Sequence, residues 1–242
     1  MIKLTNSKMN RFSYKDWILY FSDNDKQRLE INLSEETTLS VAEKRLIFPS
    51  IRAFQRGEGS DGRYLLKSVN EFVKKSGKIE YLKAMEWFVK EENWHSAYLK
   101  KYMDYHHVRV LKNSFLDYVF RKLRQLGGLR CEVTILVTAE MIALTYYDAL
   151  SKCADSAALK SICDQMLHDE LPHIMFQSYT LSHFRTRGID KFLRILIMEI
   201  TLIFVWAAFH NVYHAGGYDF GRFIKENLGY LRQSLYLAEI DR

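Results

Sequence analysis

The chain has 242 residues, 48% of them hydrophobic, and a net charge of +6. That is enough apolar material for one substantial core, and two prolines with eleven glycines suit long helices better than a strand-rich fold. The positive charge is scattered, with no block of five like charges, so it points to a solvated surface and away from a nucleic-acid partner.

In chain order, residues 1–49 read as an N-terminal arm packed on a helical domain formed by residues 50–242. The first 21 residues lack the unbroken apolar core and small-residue cleavage site of an export signal, so a cytoplasmic protein is expected. Residues 12–21 carry aromatics at helical spacing, which leaves a short helix or an irregular strap open. Thr38 or Ser40 is placed to cap a short helix through Ile47, which Pro49 should stop, with a new helix starting near Ser50.

That new helix places Ile51, Phe54, Glu58, Leu65, Val69 and Phe72 at steps of three and four, with Glu58 on the buried stripe. Gly57, Gly59 and Gly62 surround Glu58, so a loop or cap competes with the helical reading, and Asp61 is the substitute. Gly77 ends the segment. Residues 78–103 form the next helix, with Met85, Phe88, Glu92, His95 and Leu99 on one stripe and Glu91 as the local alternative to Glu92. A further helix over residues 106–126 ends at Gly127-Gly128, with His106 and His107 as surface residues or caps.

Residues 129–153 make the third bundle helix, with Val133, Leu136, Glu140, Leu144 and Tyr147 along one face. Between Val133 and Tyr147, Glu140 is the only acidic residue. Tyr147 on that face is a candidate catalytic phenol beside a site, or a core tyrosine with a satisfied hydroxyl. Asp155 or Ser156 caps a fourth helix over residues 157–184, where Ile162, Met166, Glu170, His173 and Gln177 line up. Pro172 inside it should kink the helix and free the carbonyl of His168, and Asp169 is a candidate partner for an imidazole.

Residues 192–209 are the most apolar stretch. Arg194 and Glu199 interrupt them, short of the run of about twenty uncharged residues that spans a bilayer, so a buried fifth helix is expected and no membrane partner. His210 and His214 follow at i, i+4, a weak metal pair. A last helix over residues 220–237 closes the chain. Cys131, Cys153 and Cys163 form no Cys-x-x-Cys and lie at no zinc-finger spacing, which predicts a reducing compartment and packing roles.

Two of these helices carry Glu-x-x-His, at Glu92–His95 and Glu170–His173. Residues three apart share a helix face, so each pair aims a carboxylate and an imidazole at one point. A stripe carboxylate needs a compensating charge, which a metal supplies. The spacing adds to the motif: Glu58 stands 34 residues before Glu92, and Glu140 stands 30 before Glu170. Both halves therefore read Glu, then Glu-x-x-His, the pattern of two helices with a lone Glu and two with the pair.

At these residues the chain resembles the ferritin-like di-iron carboxylate superfamily, which includes ferritins, rubrerythrins, the small subunit of ribonucleotide reductase and several oxygenases. The resemblance covers residues 51–184. It implies an all-α, ferritin-like four-helix bundle, with the N-terminal arm, a crossover helix at 106–126 and two C-terminal helices as additions. It also implies a metal site of Glu58, Glu92, His95, Glu140, Glu170 and His173, with Glu92 and Glu170 as bridges between two iron ions. Oxygen and nitrogen ligands without thiolate suit iron or manganese, so Mn/Fe and Mn pairs stay open. The activity so implied is that of an oxidoreductase activating O2 to oxidise or oxygenate a small organic substrate, with an electron donor. The alternatives are a ferritin-like ferroxidase and a metal-free helical interaction module. The oligomeric state stays open, a homodimer included.

Overall fold

The computed structural model describes residues 3–4, 7–34, 36–59, 62–111, 127–184 and 188–240. Among these residues the protein is all-α. A short 3-10 turn, Lys8–Arg11, precedes α1 (Tyr14–Asn24), α2 (Val41–Glu58), α3 (Arg63–Ser76), α4 (Ile79–Tyr105), α5 (Gly128–Leu150), α6 (Ala157–Ser182), α7 (Gly188–Ala215) and α8 (Phe220–Ile240). The candidate crossover helix at 106–126 falls mostly outside the described residues, as does Asp61.

The chain divides into two compact units. One contains residues 11–35 and 48–132, the other residues 1–10, 36–47 and 133–242, so the arm expected at 1–49 is shared between them.

In the first unit, α1 and α3 both pack on α4. A capping box starts α1: the Ser13 amide donates to Asp16 Oδ2 at 2.8 Å, relieving the unmet amides of the first turn. Its aromatic face is buried, with Trp17 and Phe21 stacked at 5.8 Å and Phe21 edge-on to Phe88 of α4 at 6.4 Å. Polar ties run alongside: Asn24 donates to Glu91, Lys90 Nζ reaches Asp25 at 2.8 Å, and the Leu29 amide donates to the Tyr98 hydroxyl at 3.2 Å. The aromatic run at 12–21 is therefore helical from Tyr14 on.

Two expectations fail between residues 41 and 76. Ser40 does cap α2, exchanging hydrogen bonds with Glu43 at 2.7 and 3.1 Å, but Pro49 does not stop the helix. Pro49 and Arg45, whose carbonyl loses its amide donor, are both exposed, so water can serve that carbonyl. The helix instead ends at Glu58, and α3 starts afresh at Arg63. Gly62 adopts φ +63°, a left-handed conformation, and a β-carbon there would come within 2.6 Å of Val89, so only glycine fits. The glycines around Glu58 break the helix that the apolar spacing extends.

In the second unit, α6 and α7 both pack on α8. The Ser156 hydroxyl caps α6 by accepting from the Leu159 amide at 3.0 Å. Helix α5 is hidden almost all round, and 83% of its most apolar 18-residue window is buried. Two of its threonines are hydrogen-bonded: Thr138 donates to the Thr134 carbonyl at 2.8 Å, and Asn227 of α8 donates to Thr145 at 3.0 Å. Gly216 sits where a β-carbon would lie 2.4 Å from the Ala149 carbonyl oxygen, which fixes the approach of the α7 C-terminus to α5.

Helix α7 overturns an expectation. The apolar run at 192–209 was read as a buried fifth helix, yet only 28% of its most apolar 18-residue window is buried. The helix packs on α8, and Met198, Leu202 and Val205 are buried, while Phe192, Ile200, Ile203 and Phe204 are exposed. By length and composition α5 and α7 are both apolar enough to cross a membrane.

Candidate metal centre

Each Glu-x-x-His pair lies within one continuous helix, as a shared face requires. On α4 the stripe of Met85, Phe88, His95 and Leu99 is buried, and Glu92 sits in it with 14% of its side chain exposed. His95 Nδ1 lies 3.7 Å from Glu92 Oε1. Glu91 belongs elsewhere: it accepts from Asn24 of α1. Trp94, between the two ligand candidates, stacks under the Arg28 guanidinium at 3.7 Å.

On α6, Ile162, Met166, Glu170, His173 and Gln177 are each fully buried, so the whole predicted stripe is core. His173 Nδ1 lies 3.1 Å from Glu170 Oε2 and 3.9 Å from Glu140 Oε2 of α5. Glu140 is 4% exposed. Two carboxylates and an imidazole are thus gathered in the apolar interior of one unit, where an uncompensated charge would be costly. Pro172 stands inside α6 without ending it, and its missing N–H leaves the His168 carbonyl without its usual helical donor.

Each compact unit thus carries one Glu-x-x-His pair on a single helix face, Glu92 and His95 on α4 and Glu170 and His173 on α6, the latter beside Glu140. Metal bonds of about 2.0–2.2 Å put ligands on opposite sides of one ion roughly 4 Å apart, and the 3.1 and 3.9 Å from His173 to Glu170 and Glu140 are on that scale. Oxygen and imidazole donors without sulfur match iron, manganese or zinc. The donor set therefore fits the expected metals.

The other candidates fall outside the two pairs. Glu140 stands beside the α6 pair through His173, as above. Glu58 is the last residue of α2, half-buried, rather than the middle of a bundle helix. Tyr147 is fully buried on α5, its ring edge-on to Tyr146 at 5.1 Å. Asp169 binds His168 at 2.9 Å and Gln165 at 2.9 and 3.0 Å. His210 and His214 flank Trp206 on α7, 6.1 Å apart by ring centres. His106 is a buried helix cap against Phe48 and Tyr102, and His107 is exposed with φ +59°.

Gln177 was not among the predicted site residues. It is fully buried one turn past His173, and neither amide atom finds a partner among the described residues. Thr180, on the same face a further turn along, is also fully buried with its hydroxyl unmatched there. The legible signal was a polar residue repeating the ligand spacing.

Comparison with known proteins returns no match: no family model, no curated protein and no solved structure.

Proposed function

We propose that this is a ferritin-like di-metal carboxylate protein that activates O2 to oxidise a small organic substrate. The observation that carries the reading is that each Glu-x-x-His pair stands on one helix face with a fully buried histidine, and that His173 lies 3.1 Å from Glu170 and 3.9 Å from Glu140. Glu92, His95, Glu170 and His173 would hold the metals, with Glu140 completing the set beside His173. Ferrous iron held by these residues would supply the reducing electrons for O2 chemistry.

The chain's own residues set the conditions. The carboxylates of Glu92, Glu170 and Glu140 would supply anionic oxygen ligands that offset the metal charge. The imidazoles of His95 and His173 are fully buried, which excludes water from the donor atoms. Gln177 offers both a donor and an acceptor to a polar group of the substrate, one turn from His173. Its neutral amide matches a neutral group, such as a hydroxyl or an amide, better than a carboxylate.

The test is O2 uptake by protein loaded with ferrous iron and supplied with a reductant. The wild type is expected to consume O2 in proportion to bound iron, and Glu92→Ala and Glu170→Ala to lose that uptake while keeping helix content. Uptake that persists in both variants overturns the reading.

A further inference from the structure

Helix α7 presents outward what a lone protomer ordinarily hides. Arg194 is turned inward, 7% exposed, and donates to the Ser234 hydroxyl at 2.7 Å, whereas Ile189 and Ile203 stand 57% and 61% exposed. Along the outer face Ile189, Leu193, Leu196, Ile200, Ile203 and Ala207 recur at alternating steps of four and three residues. That is the 3.5-residue period with which helices pack along one another.

Side chains of this size, about half exposed and continued by Phe204 and Phe220, leave on the order of 700 Å² of apolar surface. A monomer's largest apolar patch is typically about 300–600 Å², and a stable interface buries about 800 Å² per partner. The stripe is thus of the size that a protein interface needs.

Lipid is a poorer match than protein. A spanning α7 would carry its packed neighbour α8 into hydrocarbon, together with Arg222, Glu226 and the Lys191–Glu239 ion pair. A helix lying on a membrane surface needs lysines and arginines on its polar face to meet anionic lipid. On α7 the two such cations are Arg194, turned inward, and Lys191, paired with Glu239, while the exposed flank carries Glu199.

We propose that the exposed face of α7 is the interface of a two-fold dimer, in which α7 packs along α7 of a second copy of the chain. An isologous contact makes the stripe its own complement, so one surface suffices. Glu199 falls at the rim, where a charge stays hydrated. The inference stands apart from the metal reading, because neither Glu-x-x-His pair lies on α7.

Sedimentation equilibrium of the full chain at micromolar concentration tests it. The wild type is expected at twice the 28.7 kDa chain mass. Leu196→Lys and Ile203→Lys are expected at the monomer mass with unchanged helix content, while Tyr64→Lys, at an exposed site on α3, stays dimeric. Should a lysine variant misfold, Ile203→Ala is read instead, with dimerisation weakened at least tenfold. A monomeric wild type overturns the proposal, and if that monomer floats with vesicles of phosphatidylcholine and phosphatidylserine, the face is a lipid surface. Seam variants that remain dimeric with wild-type affinity overturn it equally.

Discussion

Helices α5 and α7 are alike in length and apolar character and have opposite surroundings. Both are long and apolar enough to cross a bilayer, yet 83% of the window in α5 is buried and 28% of that in α7. In α5 the buried polar residues include Glu140, which lies 3.9 Å from His173, and Thr134, Thr138 and Thr145, with Thr138 donating to the Thr134 carbonyl. In α7 the arrangement is inverted, with Arg194 inside and isoleucines outside. Hydropathy therefore reports how much apolar surface a helix must cover, and leaves open whether its own chain covers it.

The largest expected effect separates the two helices directly. Ile142→Ala in α5, at a site 3% exposed, should cost about 2–5 kcal/mol of unfolding free energy, from lost burial and the cavity left behind. Ile203→Ala in α7, at a site 61% exposed, should change protomer stability by no more than about 0.5 kcal/mol. Urea unfolding at a concentration where the protein is monomeric reads both. Equal losses would break the comparison.

Gly216→Ala comes next. The added methyl has to displace the backbone at Ala149, and overpacking of this kind costs about 1–3 kcal/mol. A thermal melt that leaves Tm unchanged would show that the α7 terminus is free to retreat from α5.

A pH series sharpens the α5 side. Burial raises the Asp148 carboxyl pKa, but hydrogen bonds from Lys152 and Tyr218 and the charges of Lys152 and Arg222 outweigh it, leaving the group below its usual range. A carboxyl lowered by folding adds stability above its unfolded pKa, near 3.9, and loses it as pH falls through the lower folded value. Unfolding measured from pH 6 down to pH 3 should therefore decline more steeply in wild type than in Asp148→Asn. Parallel curves would remove Asp148 from the account.

The smallest effect concerns the thiols. Burial pushes the Cys153 thiol up to about 11 and raises Cys163 well above the ordinary value, while Cys131 is raised by burial and the neighbouring Glu132. Native protein at neutral pH should react slowly with a thiol reagent, Cys131 first, and all three sites should open on unfolding. Fast labelling of Cys163 would show that α6 opens locally.

Much of this was legible from residue spacing. The stripes on α4 and α6 could be read because ligands repeat the helical period of the core around them, and Ser156 marks the start of α6 by a local cap. The fate of Glu58 was less legible, since apolar spacing carries across Gly59 and Gly62 while backbone conformation there does not. Pro49 misled because its effect depends on whether the freed carbonyl meets solvent, which is a tertiary property. The exposure of α7 was out of reach for the same reason. Asn24 as the partner of Glu91 rests on an α1–α4 contact that no local pattern encodes.

The central claim is that the two Glu-x-x-His pairs hold metal. The most direct measurement is metal content after reconstitution with ferrous iron, for wild type and for His95→Ala, Glu170→Ala and His173→Ala. The account predicts close to two metal ions per chain in wild type and loss of metal in each variant, with helix content kept. A wild type that binds no stoichiometric metal, or variants that retain it in full, would contradict it.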